Sequence, residues 1–103
     1  MKLLVEFDVD ADLIEVPEQI VAERELYRKR FWKWLSNRSI RHKYWVEGHD
    51  SDGNTFTGLQ YRSDAFVEWL NNKVLKNSEE KASVVATNVD IETFKDSLPY
   101  IYF

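Results

Sequence analysis

The chain has no cysteine, only two histidines, and no apolar run near the length of a membrane span. Without cysteine there is no disulfide, no thiol nucleophile and no thiolate metal site. A spanning helix needs about 20 consecutive apolar residues. The opening MKLLVEFDVD turns acidic where a signal peptide would stay apolar. These absences point to a cytoplasmic protein with no membrane partner. The chain also lacks a basic excess: 14 Lys and Arg stand against 18 Asp and Glu, a net charge of −4. That balance argues against a nucleic-acid partner, which needs a basic field over its phosphate contacts.

What is present suits one globular domain. At 103 residues, with 44% hydrophobic and 31% charged residues, the chain is long enough for one small core. Aromatic residues are abundant at 15%, four of them Trp. Large aromatics dominate cores and interfaces, so a homodimer or larger homo-oligomer is expected.

Hydrophobic alternation marks a first strand, KLLVEFDVD, with Leu3, Val5, Phe7 and Val9 on one face. An acidic loop follows, up to Pro17, which suits the first turn of a helix. From Glu18 to about Arg38 the period is helical, with Ile20, Tyr27, Phe31, Trp34 and Leu35 in one stripe. Leu26 and Trp32 widen the apolar face beyond that stripe, which reads first as a broad core face and otherwise as a subunit contact through Trp32. Residues 40–49 read as a second strand, DSDGN (50–54) as a hairpin turn, and TFTGLQYR (55–62) as the returning strand. Ser63 is an N-cap for a helix running to about Lys76. ASVVATNV (82–89) is strand-like, and the apolar end, Pro99–Phe103, is expected to dock on its own domain or a partner. The fold class is therefore α+β. The order β-α-β-β-α-β is that of a ferredoxin-like antiparallel sheet with both helices on one face. The other face is then left for a second subunit to cover. Residues 1–103 form one domain, with 90–103 as a C-terminal extension.

Chemistry concentrates in RHKYWVEGH (41–49), which holds both histidines. Strand parity places Arg41, Lys43, Trp45, Glu47 and His49 on one face and His42, Tyr44, Val46 and Gly48 on the other. Histidines pointing opposite ways do not share a metal, so no metal is expected. The face of His49 is expected to be open, beside Glu6 and Asp8 of the first strand. Glu6, Asp8, Glu47 and His49 over an aromatic floor are candidate proton-transfer groups. Arg41, Lys43 and Trp45 are candidate substrate contacts. His42 is expected to face the helices as a structural residue.

Arg41-His42, five residues, then Gly48-His49 resembles the second strand of muconolactone isomerase and its relatives. The opening Met1, Val5 and Val9, the position of Pro17, and AERE (22–25) are similar to the same family over residues 1–76. The chain departs from it at Ala11-Asp12, where the family has Leu-Pro, in the longer DSDGN turn, and at KNSEEK, which replaces a Leu-Pro-Leu-Phe-Pro segment. The resemblance implies a dimeric α/β barrel and a cofactor-free proton shift on, or binding of, a small unsaturated carboxylate or lactone. The alternative is a non-catalytic interaction or regulatory module, bacterial or phage, that uses its aromatic-rich surface.

Overall fold

The computed structural model describes residues 1–8 and 10–103. Val9, used in both the strand pattern and the family resemblance, lies outside the described residues. The fold is mixed α and β. Strand β1 (Lys2–Glu6) pairs antiparallel with β2 (Ala11–Glu15), from Lys2 opposite Glu15 to Glu6 opposite Ala11. Helices α1 (Glu18–Ala22) and α2 (Arg24–Leu35) follow, then a hairpin of β3 (Trp45–His49) and β4 (Thr55–Leu59). Helix α3 (Ser63–Trp69) continues into one π-helical turn, Leu70–Val74, and leads to β5 (Ser83–Val89), α4 (Ile91–Phe94) and β6 (Tyr100–Tyr102).

The strands form a four-stranded sheet in the order β5-β2-β1-β6 and a separate two-stranded sheet, β3-β4. This differs from the expected β-α-β-β-α-β order in two places. Residues 11–15, read as an acidic loop, form a central strand. The histidine-bearing hairpin makes its own sheet, and β6 takes the place beside β1, parallel to it. The reason lies in ADLIEV (11–16). Two consecutive apolar residues, Leu13 and Ile14, face opposite sides of a strand buried on both. Such strands lose the alternation that marks a half-exposed one.

The core lies between this sheet and the helices. Leu3, Val5 and Ile14 meet Ile20, Phe31, Leu35, Phe66 and Leu70. Phe31 is fully buried at the centre of an aromatic cluster, with ring centroids of Phe66, Phe103 and Trp69 at 5.3, 5.5 and 5.8 Å. The opposite sheet face is also closed within one chain: Leu4, Ala11 and Leu13 are buried there. The chain runs from edge strand β5 to edge strand β6 through Asp90–Pro99. Ile91, Phe94 and Leu98 of that segment are partly buried and stand outside the helix-side cluster. The centre of that face is therefore not bare in the single chain.

The helix expected over 18–38 breaks at Glu23, and α2 ends at Leu35. Arg24 braces the break: its Nη1 donates to Val21 O (2.9 Å) and its Nε to Tyr100 O of β6 (3.1 Å). Every residue from 49 to 57 is exposed, so the β3-β4 hairpin projects. The radius of gyration is accordingly 15.0 Å, above the roughly 13 Å of a compact chain this long. The turn is as the sequence implied: Gly53 has φ +82°, and Asp50 Oδ1 accepts from the backbone N–H of Asp52 (2.9 Å) and Asn54 (2.8 Å).

Candidate functional site

Strand β3 starts only at Trp45, so the parity argument does not reach His42. Its position is fixed by other means. The Tyr44 backbone N–H donates to His42 Nδ1 (3.2 Å), which makes Nδ1 an acceptor and leaves the proton on Nε2. Nε2 then donates to Leu35 O (2.8 Å), a carbonyl left open at the end of α2. The imidazole lies between two indoles, with Trp34 at 4.6 Å and Trp45 at 5.5 Å, the latter nearly parallel at 6°. Trp45 is itself pinned, its Nε1–H donating to Ile40 O (3.0 Å).

Beside this stack opens a cleft of about 470 Å³ lined by Arg38, Arg41, His42, Trp45 and Thr57. Of the expected site residues, it brings together Arg41 and Trp45. Lys43 points elsewhere, pairing with Glu68 (2.8 Å) while the Tyr44 hydroxyl donates to the same Glu68 oxygen (2.9 Å). Lys43 and the Tyr44 hydroxyl hold the Glu68 carboxyl below the usual range, whereas burial and that carboxylate push the Tyr44 phenol up.

The four candidate proton-transfer groups do not share one element: two lie at or just after the end of β1 and two on the β3-β4 hairpin. Glu6 ends β1, and Asp8, in the turn after it, accepts from the Tyr102 hydroxyl (3.0 Å). Glu47 and His49 are exposed on the projecting hairpin, where the His49 Nδ1 meets Thr55 Oγ1 at 3.4 Å. No hydrogen bond joins one pair to the other among the described residues. Gly48 does not open room for a ligand: its cross-strand neighbour Phe56 lays its ring there, and a Cβ at Gly48 would come within 2.5 Å of it. No group of three or more His, Cys, Asp or Glu able to hold a metal occurs among the described residues.

The strongest polar cluster is one that the sequence reading missed. Asp12 of β2 is fully buried and accepts from Arg62 Nη2 (2.6 Å), Ser63 Oγ (2.6 Å) and the backbone N–H of Asn88 (3.1 Å). Arg62 Nη1 also donates to both oxygens of Asp10 (3.0 and 3.1 Å), and the guanidinium lies 4.6 Å from the Phe7 ring centroid. Ser63 therefore begins α3 without capping it through its side chain; its hydroxyl goes to Asp12. Burial pushes the Asp12 carboxyl up, but the donors from Arg62, Ser63 and Asn88 outweigh it and hold the group below the ordinary range. The available signal was an acid between Ala11 and Leu13 in an otherwise apolar strand. With all its buried polar atoms partnered, the cluster locks the start of α3 and the end of β5 onto the sheet.

The two histidines give a direct test. His42→Ala is expected to cost about 1–3 kcal/mol, through the lost stack and an unpaired helix-end carbonyl. His49→Ala, exposed, should stay within about 0.5 kcal/mol of the parent. Thermal melts of both variants decide it, and equal losses would refute the assignment. No family model, curated protein or solved structure matches the chain.

Proposed function

We propose that the chain is a non-catalytic binding module, and that the cleft between Arg38, Arg41 and Trp45 holds an anionic group of its partner. The observation that carries this reading is the pair of exposed arginines beside a fixed ring stack. Guanidinium forks match carboxylate or phosphate oxygens two at a time. A ring already held by hydrogen bonds loses little freedom on binding.

The isomerase-like reading asks for an acid and a base at one substrate. It is supported by the Arg41-His42 and Gly48-His49 spacing and the likeness of the N-terminal segment, while Glu6 ends β1, Asp8 follows it, and Glu47 and His49 stand on the separate β3-β4 sheet. The test is a titration with phosphate and with small mono- and dicarboxylates, following the Trp45 indole N–H in nitrogen–proton correlation spectra. A saturable shift at that resonance is expected. Arg38→Ala and Arg41→Ala should each weaken it roughly tenfold, the worth of one charge-assisted contact. An indole resonance that stays still for every anion would reject the site. Deuterium uptake into an unsaturated lactone, lost in His49→Ala, would instead favour turnover.

A further inference from the structure

The net charge of −4 averages two unlike parts. Residues 26–46 contain seven of the fourteen Lys and Arg and none of the eighteen Asp and Glu, so that stretch carries +7 and the remainder −11. Two of the seven are paired, Arg28 with Glu25 (2.9 Å) and Lys43 with Glu68 (2.8 Å). Lys29, Arg30, Lys33, Arg38 and Arg41 are exposed and have no acidic partner among the described residues. Aromatic rings are interleaved with them. Trp34 and Trp45 are half-buried in the stack, and Trp32 is 46% exposed.

From this distribution we infer that the surface built by α2 and the 36–45 segment takes a single-stranded polynucleotide. Its phosphates lie on Lys29, Arg30, Lys33 and Arg38, the last of these within the cleft between Arg38 and Arg41, and the adjoining base lies there against Trp45. The inference rests on the anionic reading of the cleft and names the partner. Five unpaired cations within one short stretch repel one another, and a polyanion relieves that repulsion while releasing its own counterions. Physiological salt screens the acids beyond about 8 Å; of the nearer ones, Glu25 is engaged by Arg28 (2.9 Å), and Glu47 stands opposite Thr57 at the far side of the cleft from α2. Fixed rings beside free guanidinium groups are what unpaired bases stack on, in a manner tolerant of sequence. A duplex keeps its base faces inside the stack and offers none to Trp45. An anionic bilayer would attract the same cations but needs aromatic side chains free to enter its interface. The Trp45 ring is held by the Ile40 carbonyl and His42, which leaves Trp32 as the one exposed ring of residues 26–46 to enter a bilayer.

The experiment measures fluorescence anisotropy of a labelled oligothymidylate with the full chain, beside a matched duplex and phosphatidylserine vesicles. The single strand should bind best. If four phosphates are engaged, its affinity should fall about 50-fold between roughly 50 and 200 mM salt. Replacing both Lys29 and Lys33 with Ala should flatten that salt dependence, and Lys76→Ala and Lys95→Ala should leave it unchanged. Arg41→Ala should narrow the preference for single strand over duplex without moving the thermal melt. Equal binding of duplex and single strand, preference for vesicles, or no binding at low salt would each overturn the inference. Should the oligonucleotide fail while phosphate still shifts the Trp45 indole, the polynucleotide is wrong and the cleft reading survives. Failure of both removes both.

Discussion

Asp12→Ala is expected to remove about 3–5 kcal/mol of stability, the range for breaking a buried ion pair by deleting one partner. Three groups lose their acceptor at once: the Arg62 guanidinium, the Ser63 hydroxyl and the Asn88 amide. Asp10 retains Arg62, so its charge is not orphaned, which favours the lower half of the range. Asn88 adds a backbone component. It sits at φ +53°, a left-handed conformation unfavourable for a side-chain-bearing residue, and the Asp12 carboxylate is one of the groups holding it there. A natural domain has only about 5–15 kcal/mol in total, so the variant should melt many degrees lower. Urea unfolding of Asp12→Ala and Asp12→Asn beside the parent measures it, and a loss below about 1 kcal/mol for Asp12→Ala would mean that the cluster does not hold the sheet to α3.

The same carboxylate sets an acid limit. Its pKa in the folded chain lies below that of the unfolded chain, so its contribution is complete above the unfolded value, about 3.9. As the pH falls from there toward the folded pKa, protons bind the unfolded chain preferentially and the contribution is lost. Glu68 and Asp50, also lowered, act in the same direction at the surface. The difference in melting temperature between the parent and Asp12→Asn isolates Asp12: it should be constant near neutrality and shrink below about pH 4.

Phe31→Ala is the second large effect, again about 3–5 kcal/mol, the range for deleting a buried ring. Five aromatic rings surround Phe31 with centroids within 6.1 Å: Phe66, Phe103, Trp69, Trp34 and Tyr61. They come from α2, α3, the segment after β4, and the residue after β6, so one cavity loosens four parts of the fold. Trp32→Ala, one position away and half exposed, should cost well under half as much. Near-ultraviolet circular dichroism and denaturant titration together check this. Equal losses at the two positions would show that Phe31 is not the centre of the core.

The core stripe was legible in the sequence, because helical period is a strong signal over a long segment, but Trp32, read first as part of a broad core face, is 46% exposed. Ile20, Phe31 and Leu35 are buried and Tyr27 and Trp34 half-buried, as the stripe implied. The DSDGN turn was legible too, since few turns tolerate a positive φ without glycine. Strand β2 was hidden because a strand buried on both faces has no alternation, and its acids Asp12 and Glu15, with Asp10 just before it, resembled a loop. The Asp12 cluster was hidden because its partners lie 50, 51 and 76 residues away. Parity assigned the faces of Trp45 to His49 but began too early for His42. His42 is placed by a helix end and two indoles instead, a contact no period encodes.

The parallel pairing of β1 with β6 carries a consequence for the growing chain. Leu4 and Val5 wait for Tyr100 and Ile101 across almost the whole intervening sequence. At about 5–20 residues per second of synthesis, that interval lasts roughly 5–20 s. During it the early β1–β2 hairpin presents an uncovered, apolar backbone edge to its surroundings, the kind of edge that recruits other strands. Nascent-chain handling, rather than the stability of the finished fold, is therefore where this topology is most exposed to failure.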